Sequence, residues 1–353
     1  FIAKYKIPSN KIKSIFFLEI LIRFTKFLFK YLKFVKRINP HLIVNPIADY
    51  LFSTIFFTKS EINIIGFGNP ACKLIKKSHK NNIKTIYFLN TNSPKEKEKL
   101  IMEYKKFGLE EIYEKEHSTL TEKIKQNIRD SDYVGCLSNF QKQNYIKEGI
   151  LLENKSIIIP MGVDTSVFYP QSQKKDKFVV IGVGNNFVIK GFKYLIEAFN
   201  NLNLKNSELW LVGDLDRSLI SKIVKLKFNN LIYNNIKEFD LPDFYNKSSI
   251  FCLPTLTEGA PAVIPQAMSC GLPILVTKNC QGPEVIDNNQ NGFIIDEKNS
   301  KSIEDKILYL YNNPQIRDKM GISAAKFARN NLSFDIIAEN LNHKFENILD
   351  DKI

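Results

Sequence analysis

Two short polar segments in the C-terminal half have the residue types and spacing of an anion-binding site. Glu258, Gly259 and Ala260 follow the apolar run 250–253, which is typical of a short buried strand. Pro261 suits the first turn of a helix, so the chain would turn sharply between strand and helix. Backbone N–H groups in such an elbow would lie at the carboxyl edge of a sheet, where α/β folds bind phosphorylated ligands.

Lys190 is the second candidate, and it lies six residues after Gly184. It stands where a predicted strand over 178–183 meets a predicted helix over 192–202. A loop there would bring an ammonium group to the same sheet edge as Glu258, suited to neutralise a diphosphate leaving group. A solvated lysine at a helix start is the structural alternative, and the pairing with the elbow favours the functional interpretation.

Alternating apolar runs and helical patterns predict the elements that position these residues. Strands are predicted at 42–45, 63–67, 84–89, 133–137 and 156–159, and again at 178–183, 209–212, 231–233, 250–253, 274–276 and 292–295. The intervening helical segments imply an α/β fold with two Rossmann-like halves that face a cleft. We predict domains over residues 1–160 and 177–332, a hinge at 161–176, and a final helix at 333–353 that can cross back to the first domain.

The ensemble of motifs resembles family 4 of the retaining glycosyltransferases, also called glycosyl transferases group 1, which have the GT-B fold. The family signature is a Glu, a Gly, one or two small residues and a second Glu eight positions after the first; Glu258 matches, and Gln266 stands where the second Glu belongs. The other matching segments are Pro160-Met161-Gly162-Val163-Asp164, Val183-Gly184 with Lys190-Gly191, Val212-Gly213-Asp214, Gly282-Pro283-Glu284, Asn291-Gly292 and Leu332-Ser333-Phe334. These segments occur in the family's order, and the resemblance as a whole covers roughly residues 130–350.

The resemblance implies a transfer reaction with retention at the anomeric carbon and with neither metal nor cofactor. The C-terminal half would bind a UDP- or GDP-sugar, and the N-terminal half would bind a glycan or lipid-linked acceptor in surface polysaccharide or glycolipid synthesis. Glu258, Lys190 and His117 are the implied catalytic residues. The implied donor-binding residues are Gly184, Asn185, Asn186, Lys190, Asn235, Thr257, Glu258, Gly259, Ala260, Pro261 and Gln266.

Two positions depart from the family pattern. Asn185 occupies the place of an Arg that usually accompanies the lysine, so one cation is missing. Gln266 replaces a carboxylate that accepts hydrogen bonds from ribose hydroxyls, and a neutral amide is a weaker acceptor. These departures keep an alternative open, in which the protein is a non-catalytic nucleotide-sugar-binding or membrane-docking homologue.

Positive charge is concentrated at the N-terminal end. The formal net charge is +13, and residues 1–40 contain ten Lys or Arg against a single Glu. Within 12–38, basic residues recur at helical spacing beside a Phe-rich face, which fits either a helix in the interface of an anionic membrane or a helix packed on its own domain. No nucleic-acid recognition motif accompanies the charge, so we expect no nucleic-acid partner.

Composition indicates the number of domains, the state of the cysteines and the kinds of site that the chain lacks. The 353 residues suit two domains, and because the chain begins with Phe1 rather than Met we expect the first domain to be incomplete. The five cysteines form no Cys-x-x-Cys pair, which favours reduced thiols in a cytoplasmic protein. Membrane binding by the basic segment would make the protein peripheral on the inner face of the plasma membrane. The four histidines form no metal-binding pattern, and Phe187 interrupts a dinucleotide-binding glycine pattern.

Overall fold

The computed structural model describes residues 62–65, 72–89, 91–109, 121–172 and 176–349. The predicted helix over 12–38, the predicted strand over 42–45 and His117 lie outside these residues. Within the described ranges, no helix combines the length and the apolar character that crossing a bilayer requires.

Strands and helices alternate along the described chain. The strands are β1 (Ile62–Ile65), β2 (Lys84–Phe88), β3 (Tyr133–Cys136), β4 (Ser156–Ile158), β5 (Phe178–Val183), β6 (Ser207–Val212), β7 (Asn230–Tyr233), β8 (Ile250–Leu253), β9 (Ile274–Thr277) and β10 (Gly292–Ile295). The helices are α1 (Cys72–His79), α2 (Pro94–Lys106), α3 (Thr121–Asp130), α4 (Asn139–Lys147), α5 (Phe192–Leu202), α6 (Arg217–Ile223), α7 (Leu241–Lys247), α8 (Val263–Ser269), α9 (Gly282–Val285), α10 (Ser300–Asn312), α11 (Pro314–Phe327) and α12 (Phe334–Leu349).

The chain forms two compact units, and the first comprises residues 1–89 and 120–134. In it β1 and β2 are parallel neighbours, with Ile62 opposite Lys84, and α1 provides the crossover that a parallel pair requires. Asp132 joins this unit's elements, because its carboxylate accepts the Thr85 backbone N–H at 2.8 Å and bonds the His79 ring at 3.0 Å. Burial raises the pKa of Asp132, but these hydrogen bonds outweigh burial and hold it below its ordinary value.

The second unit comprises residues 90–119 and 135–353 and contains a six-stranded sheet. Its strand order is β10-β9-β8-β5-β6-β7, and every pairing is parallel. The chain runs outwards from β5 through β6 to β7 and then returns to build β8, β9 and β10 on the other side. The order therefore reverses between β5 and β8, which is the place where open α/β sheets bind ligands.

The central strands of this sheet are continuous apolar runs because helices cover both of their faces. Every residue of β5, β8 and β9 is buried. Helix α2 precedes the sheet in sequence, yet Leu100 and Tyr104 of α2 belong to the same buried cluster as β5 and α5. Lys344 of α12 donates to the Ile158 carbonyl of β4 at 2.9 Å, so the final helix packs back on an earlier strand.

The α/β class with parallel sheets agrees with the sequence prediction, and the bounds of 178–183, 250–253 and 292–295 are confirmed. One local expectation is wrong: Pro261 is not in the first turn of a helix, because α8 begins two residues later, at Val263. The predicted domain and hinge boundaries stay predictions.

Candidate functional site

Lys190 and Glu258 meet at the point where the strand order reverses. Lys190 lies in the loop between β5 and α5, and Glu258 lies in the elbow between β8 and α8. The Lys190 Nζ atom is 2.6 Å from Glu258 Oε1, and the side chains are only 12% and 20% exposed. The carboxyl ends of the two neighbouring strands thus bring together the cation and the carboxylate that the sequence predicted at one edge.

Backbone contacts hold the two loops against each other. The Leu256 N–H donates to the Ile189 carbonyl at 2.8 Å, and the Thr255 hydroxyl oxygen lies 3.0 Å from the same carbonyl oxygen. Gly191 permits this approach: its φ is +66°, and a Cβ there would lie 2.1 Å from the Pro254 carbonyl oxygen. A side chain at position 191 would therefore push the lysine loop away from the elbow.

The carboxylate of Glu258 is held at both oxygens. Oε1 accepts from Lys190, and Oε2 accepts from the Thr255 hydroxyl at 2.8 Å. Each carboxylate oxygen can accept a further hydrogen bond, and the lysine ammonium has three donors. The pair is therefore fixed in orientation while it keeps capacity to bind hydroxyl and anionic oxygen atoms.

The end of β9 and the loop after it form hydrogen bonds with the elbow. The Thr277 hydroxyl donates to the Thr255 carbonyl at 2.6 Å, and the Asn279 side chain donates to the Leu256 carbonyl at 2.9 Å. The Glu258 N–H donates to the Asn279 carbonyl at 2.9 Å. Sequence reasoning missed Thr255 and Asn279 as site residues, although each is the second residue after a buried strand, and that position at a carboxyl end was the available signal.

A cavity of about 280 Å³ opens in front of the elbow. It is lined by Thr91, Asn92, Lys97, Leu100, Leu137, Ile189, Thr257, Glu258, Gly259, Ala260 and Pro261. The Thr257 hydroxyl is buried and finds no hydrogen-bond partner among the described residues. The backbone N–H groups of Gly259 and Ala260 likewise have no acceptor within the described part of the chain. The cavity wall therefore presents donors that a bound ligand could satisfy.

Asn185 and Asn186 line a second cavity, of about 150 Å³, together with Asp214. The Asn185 side chain accepts the Asp214 backbone N–H at 3.0 Å, and this bond joins the loops after β5 and β6. Asn186 accepts the Ile189 N–H at 2.9 Å and donates to the Tyr104 hydroxyl at 2.7 Å. Both amides shape the lysine loop in this structure.

Two predicted site residues within the described ranges, Gln266 and Asn235, are not brought to the Lys190–Glu258 pair. Gln266 is buried, accepts from the Tyr245 hydroxyl at 3.3 Å and donates to Glu238 at 3.1 Å. Asn235 is exposed and has a left-handed backbone with φ 59°. Neither residue lines the two cavities above. His117 lies outside the described residues, and among those that are described no three His, Cys, Asp or Glu side chains gather to hold a metal ion.

Comparisons with known proteins show which family and which fold this chain resembles. Residues 166–327 match the family model described as "Glycosyl transferases group 1". A capsular polysaccharide biosynthesis glycosyltransferase of Staphylococcus aureus is 26% identical over 61% of this chain and 61% of its own length. The Escherichia coli enzyme UDP-Gal:alpha-D-GlcNAc-diphosphoundecaprenol alpha-1,3-galactosyltransferase is 30% identical over 46% of each chain. The matches thus span about half to three fifths of these relatives' lengths.

The fold has solved counterparts. An Anabaena protein determined with UDP and glucose superposes with a TM-score of 0.66 at 16% identity, covering 87% of this chain and 81% of that one. At this identity the likeness concerns the fold, and that fold is GT-B. The chain therefore has the fold of the GT-B glycosyltransferases, and residues 166–327 are similar to the group 1 glycosyl transferases.

Proposed function

We propose that this protein transfers a sugar from a UDP- or GDP-sugar to a hydroxyl of a glycan or lipid-linked acceptor, with retention at the anomeric carbon. The observation that carries the proposal is the Lys190–Glu258 pair, 2.6 Å apart at the reversal of strand order. The unsatisfied Thr257 hydroxyl and the N–H groups of Gly259 and Ala260 in the adjacent cavity support it.

The reaction would place the donor diphosphate near Lys190 and the sugar near Glu258. The bond from the anomeric carbon to the phosphate oxygen breaks, and the acceptor oxygen bonds to that carbon on the same face. The acceptor proton passes to the leaving phosphate. Lys190 would stabilise the charge that develops on the diphosphate, and Glu258 would accept hydrogen bonds from hydroxyl groups of the sugar. The protein would thus act by positioning the two substrates and by stabilising charge.

The names of the relatives support the substrate classes. The Anabaena protein binds UDP and glucose, and the E. coli relative acts on a lipid-linked diphosphate. The S. aureus relative belongs to capsular polysaccharide synthesis. We therefore propose a nucleotide-sugar donor and an acceptor in surface polysaccharide or glycolipid synthesis at the inner face of the membrane.

A donor screen followed by two variants tests the proposal. UDP-, GDP- and ADP-sugars are compared by thermal shift, since a ligand at 100 times its Kd stabilises a protein by about 2.7 kcal/mol. With the winning donor, release of the nucleoside diphosphate is measured for wild type, Lys190→Ala and Glu258→Ala. We expect each variant to lose at least about tenfold in turnover, equivalent to about 1.4 kcal/mol in the barrier.

Lys193→Ala is the matched control, because Lys193 lies three positions away and pairs with Glu197 at 2.5 Å outside the site. It should keep wild-type turnover. Wild-type rates in Lys190→Ala and Glu258→Ala, with unchanged melting temperatures, would refute the site. A donor that binds without being hydrolysed or transferred, whatever acceptor is supplied, would favour the non-catalytic nucleotide-sugar-binding alternative.

A further inference from the structure

A lysine from helix α2 lines the cavity in front of the elbow. Lys97 is half-buried there, beside Thr91, Asn92 and Leu100 of the same segment. No carboxylate in the described ranges forms an ion pair with it, and burial lowers the pKa of its ammonium group. Neighbouring lysines of α2 differ: Lys99 pairs with Glu96 at 2.5 Å and Lys106 pairs with Glu103 at 2.9 Å.

Three groups of the residues that share the cavity with Lys97 are hydrogen-bond donors with no acceptor among the described residues. They are the hydroxyl of Thr257, whose residue is 1% exposed, and the N–H groups of Gly259 and Ala260. Glu258 is the one carboxylate among the lining residues, and Lys190 and Thr255 already hold its two oxygens. A cavity with an unpaired ammonium and several unsatisfied donors is suited to an anionic oxygen group.

Helix α2 is held firmly enough to place Lys97. The Glu103 carboxylate, with a side chain only 1% exposed, bonds Lys298 at 3.0 Å and also accepts from the Tyr194 hydroxyl. Asn92, just before the helix, donates to the Thr257 carbonyl at 3.3 Å. Contacts at both ends of α2 thus fix the face that carries Lys97 towards the elbow.

We propose that Lys97 is an anion-binding residue of this site, supplying from α2 the second positive charge for an anionic oxygen group of the donor. The inference rests on the proposed function and adds a residue to it. It also accounts for Asn185, which stands where the family has a cation and here accepts the Asp214 N–H. Two donor groups share this chemistry, the diphosphate and the carboxylate of an acidic sugar.

Lysine labelling measures anion binding without requiring transfer. The full chain is treated with limiting acetic anhydride, and acetylation of Lys97 and of exposed Lys105 is followed by mass spectrometry. The probes are pyrophosphate, UDP, UDP-glucose and UDP-glucuronate. A bound anion raises the pKa of Lys97 and covers it, so its labelling should slow several-fold while Lys105 labelling is unchanged.

The Kd of each probe is then measured for wild type, Lys97→Gln and Lys97→Arg, with Lys105→Gln as the control on the same helix. Loss of a charge-assisted contact should weaken binding about tenfold in Lys97→Gln, and Lys97→Arg should recover part of it. If Lys97→Gln binds UDP, UDP-glucose and pyrophosphate all more weakly, the group that Lys97 binds is the diphosphate. If only the binding of UDP-glucuronate weakens, the group that Lys97 binds is the carboxylate of the sugar.

Each remaining outcome is decisive. No protection of Lys97 by any probe, together with an unchanged Kd in Lys97→Gln, overturns the inference even when the wild-type protein transfers sugar. Protection by pyrophosphate in a protein that transfers no sugar upholds the anion site and counts against the proposed function. Circular dichroism and melting curves of Lys97→Gln check that a lost affinity reflects the charge and not the fold.

Discussion

At the scale of single residues, Gln266 has hydrogen-bond partners that the family pattern does not predict. Its side chain donates to Glu238 and accepts from Tyr245, and the residue is buried. The family pattern alone would suggest that Gln266→Glu restores donor binding. In this structure the substitution would instead bring two carboxylates within hydrogen-bond distance, so they could not both be charged without repulsion.

We therefore expect Gln266→Glu to lower stability by about 1 kcal/mol at pH 8. At pH 5 the shared proton should recover most of that loss. Urea unfolding at the two pH values measures the free energy difference. The double variant Gln266→Glu/Glu238→Gln should restore wild-type stability at pH 8. An equal loss at both pH values, or no rescue by the double variant, would show that the carboxylates do not interact.

At the scale of elements, α2 depends on the buried carboxylate of Glu103. Burial raises the pKa of Glu103, but hydrogen bonds from Tyr194, Lys106 and Lys298 outweigh burial and keep it below the ordinary value of 4.5. An acid whose folded-state pKa is lowered stabilises the fold above its unfolded pKa. That contribution disappears as the pH falls through the folded pKa.

Glu103→Gln should thus cost about 2 kcal/mol at pH 7, and this cost should shrink as the pH falls from 7 through the lowered pKa of the wild-type carboxyl. Chemical unfolding followed across this pH range provides the measurement. Glu122→Gln is the control, since Glu122 pairs with Lys125 at 2.8 Å while its side chain is 79% exposed. We expect the control to change stability little at any pH. A cost for Glu103→Gln that does not vary with pH would contradict the assignment.

Elements that a short stretch of sequence determines could be predicted correctly. Strands β5 and β8 are continuous apolar runs, and their carboxyl ends had to share an edge, so the meeting of Lys190 and Glu258 could be expected. The packing of α2 could not be predicted, because Lys and Glu alternate around Lys97 and this pattern does not indicate which face of the helix is buried. Likewise, nothing near Gln266 identifies Glu238, 28 positions earlier, as its partner.

At the scale of the whole molecule, the charge of the N-terminal segment supports attachment to an anionic membrane. Arg23, Lys26, Lys30, Lys33 and Arg37 are spaced three or four positions apart in the sequence. We expect binding to vesicles that increases with anionic lipid and decreases with salt, at about 1 kcal/mol for each basic residue near the surface.

Substitution of Lys26, Lys30 and Lys33 by Gln should release the protein from anionic vesicles without lowering its melting temperature. Cosedimentation with neutral and anionic vesicles at two salt concentrations measures this. The control replaces Lys222, Lys225 and Lys227 by Gln instead, which removes the same number of charges from the second unit. Equal partitioning onto both kinds of vesicle, or equal losses in the two triple variants, would remove membrane attachment from the proposed function.

The place of α2 in the second unit has a consequence for the order in which the protein can fold during synthesis. Residues 90–119 leave the ribosome long before their partners: Tyr104 is 82 positions ahead of Asn186, and Glu103 is 91 positions ahead of Tyr194. Until α5 and the residues up to Lys298 have followed, Leu100, Glu103 and Tyr104 have no core to enter. The segment that forms α2 is therefore synthesised well before the residues it packs against, and completion of the cavity in front of the elbow is a late, non-local step of folding.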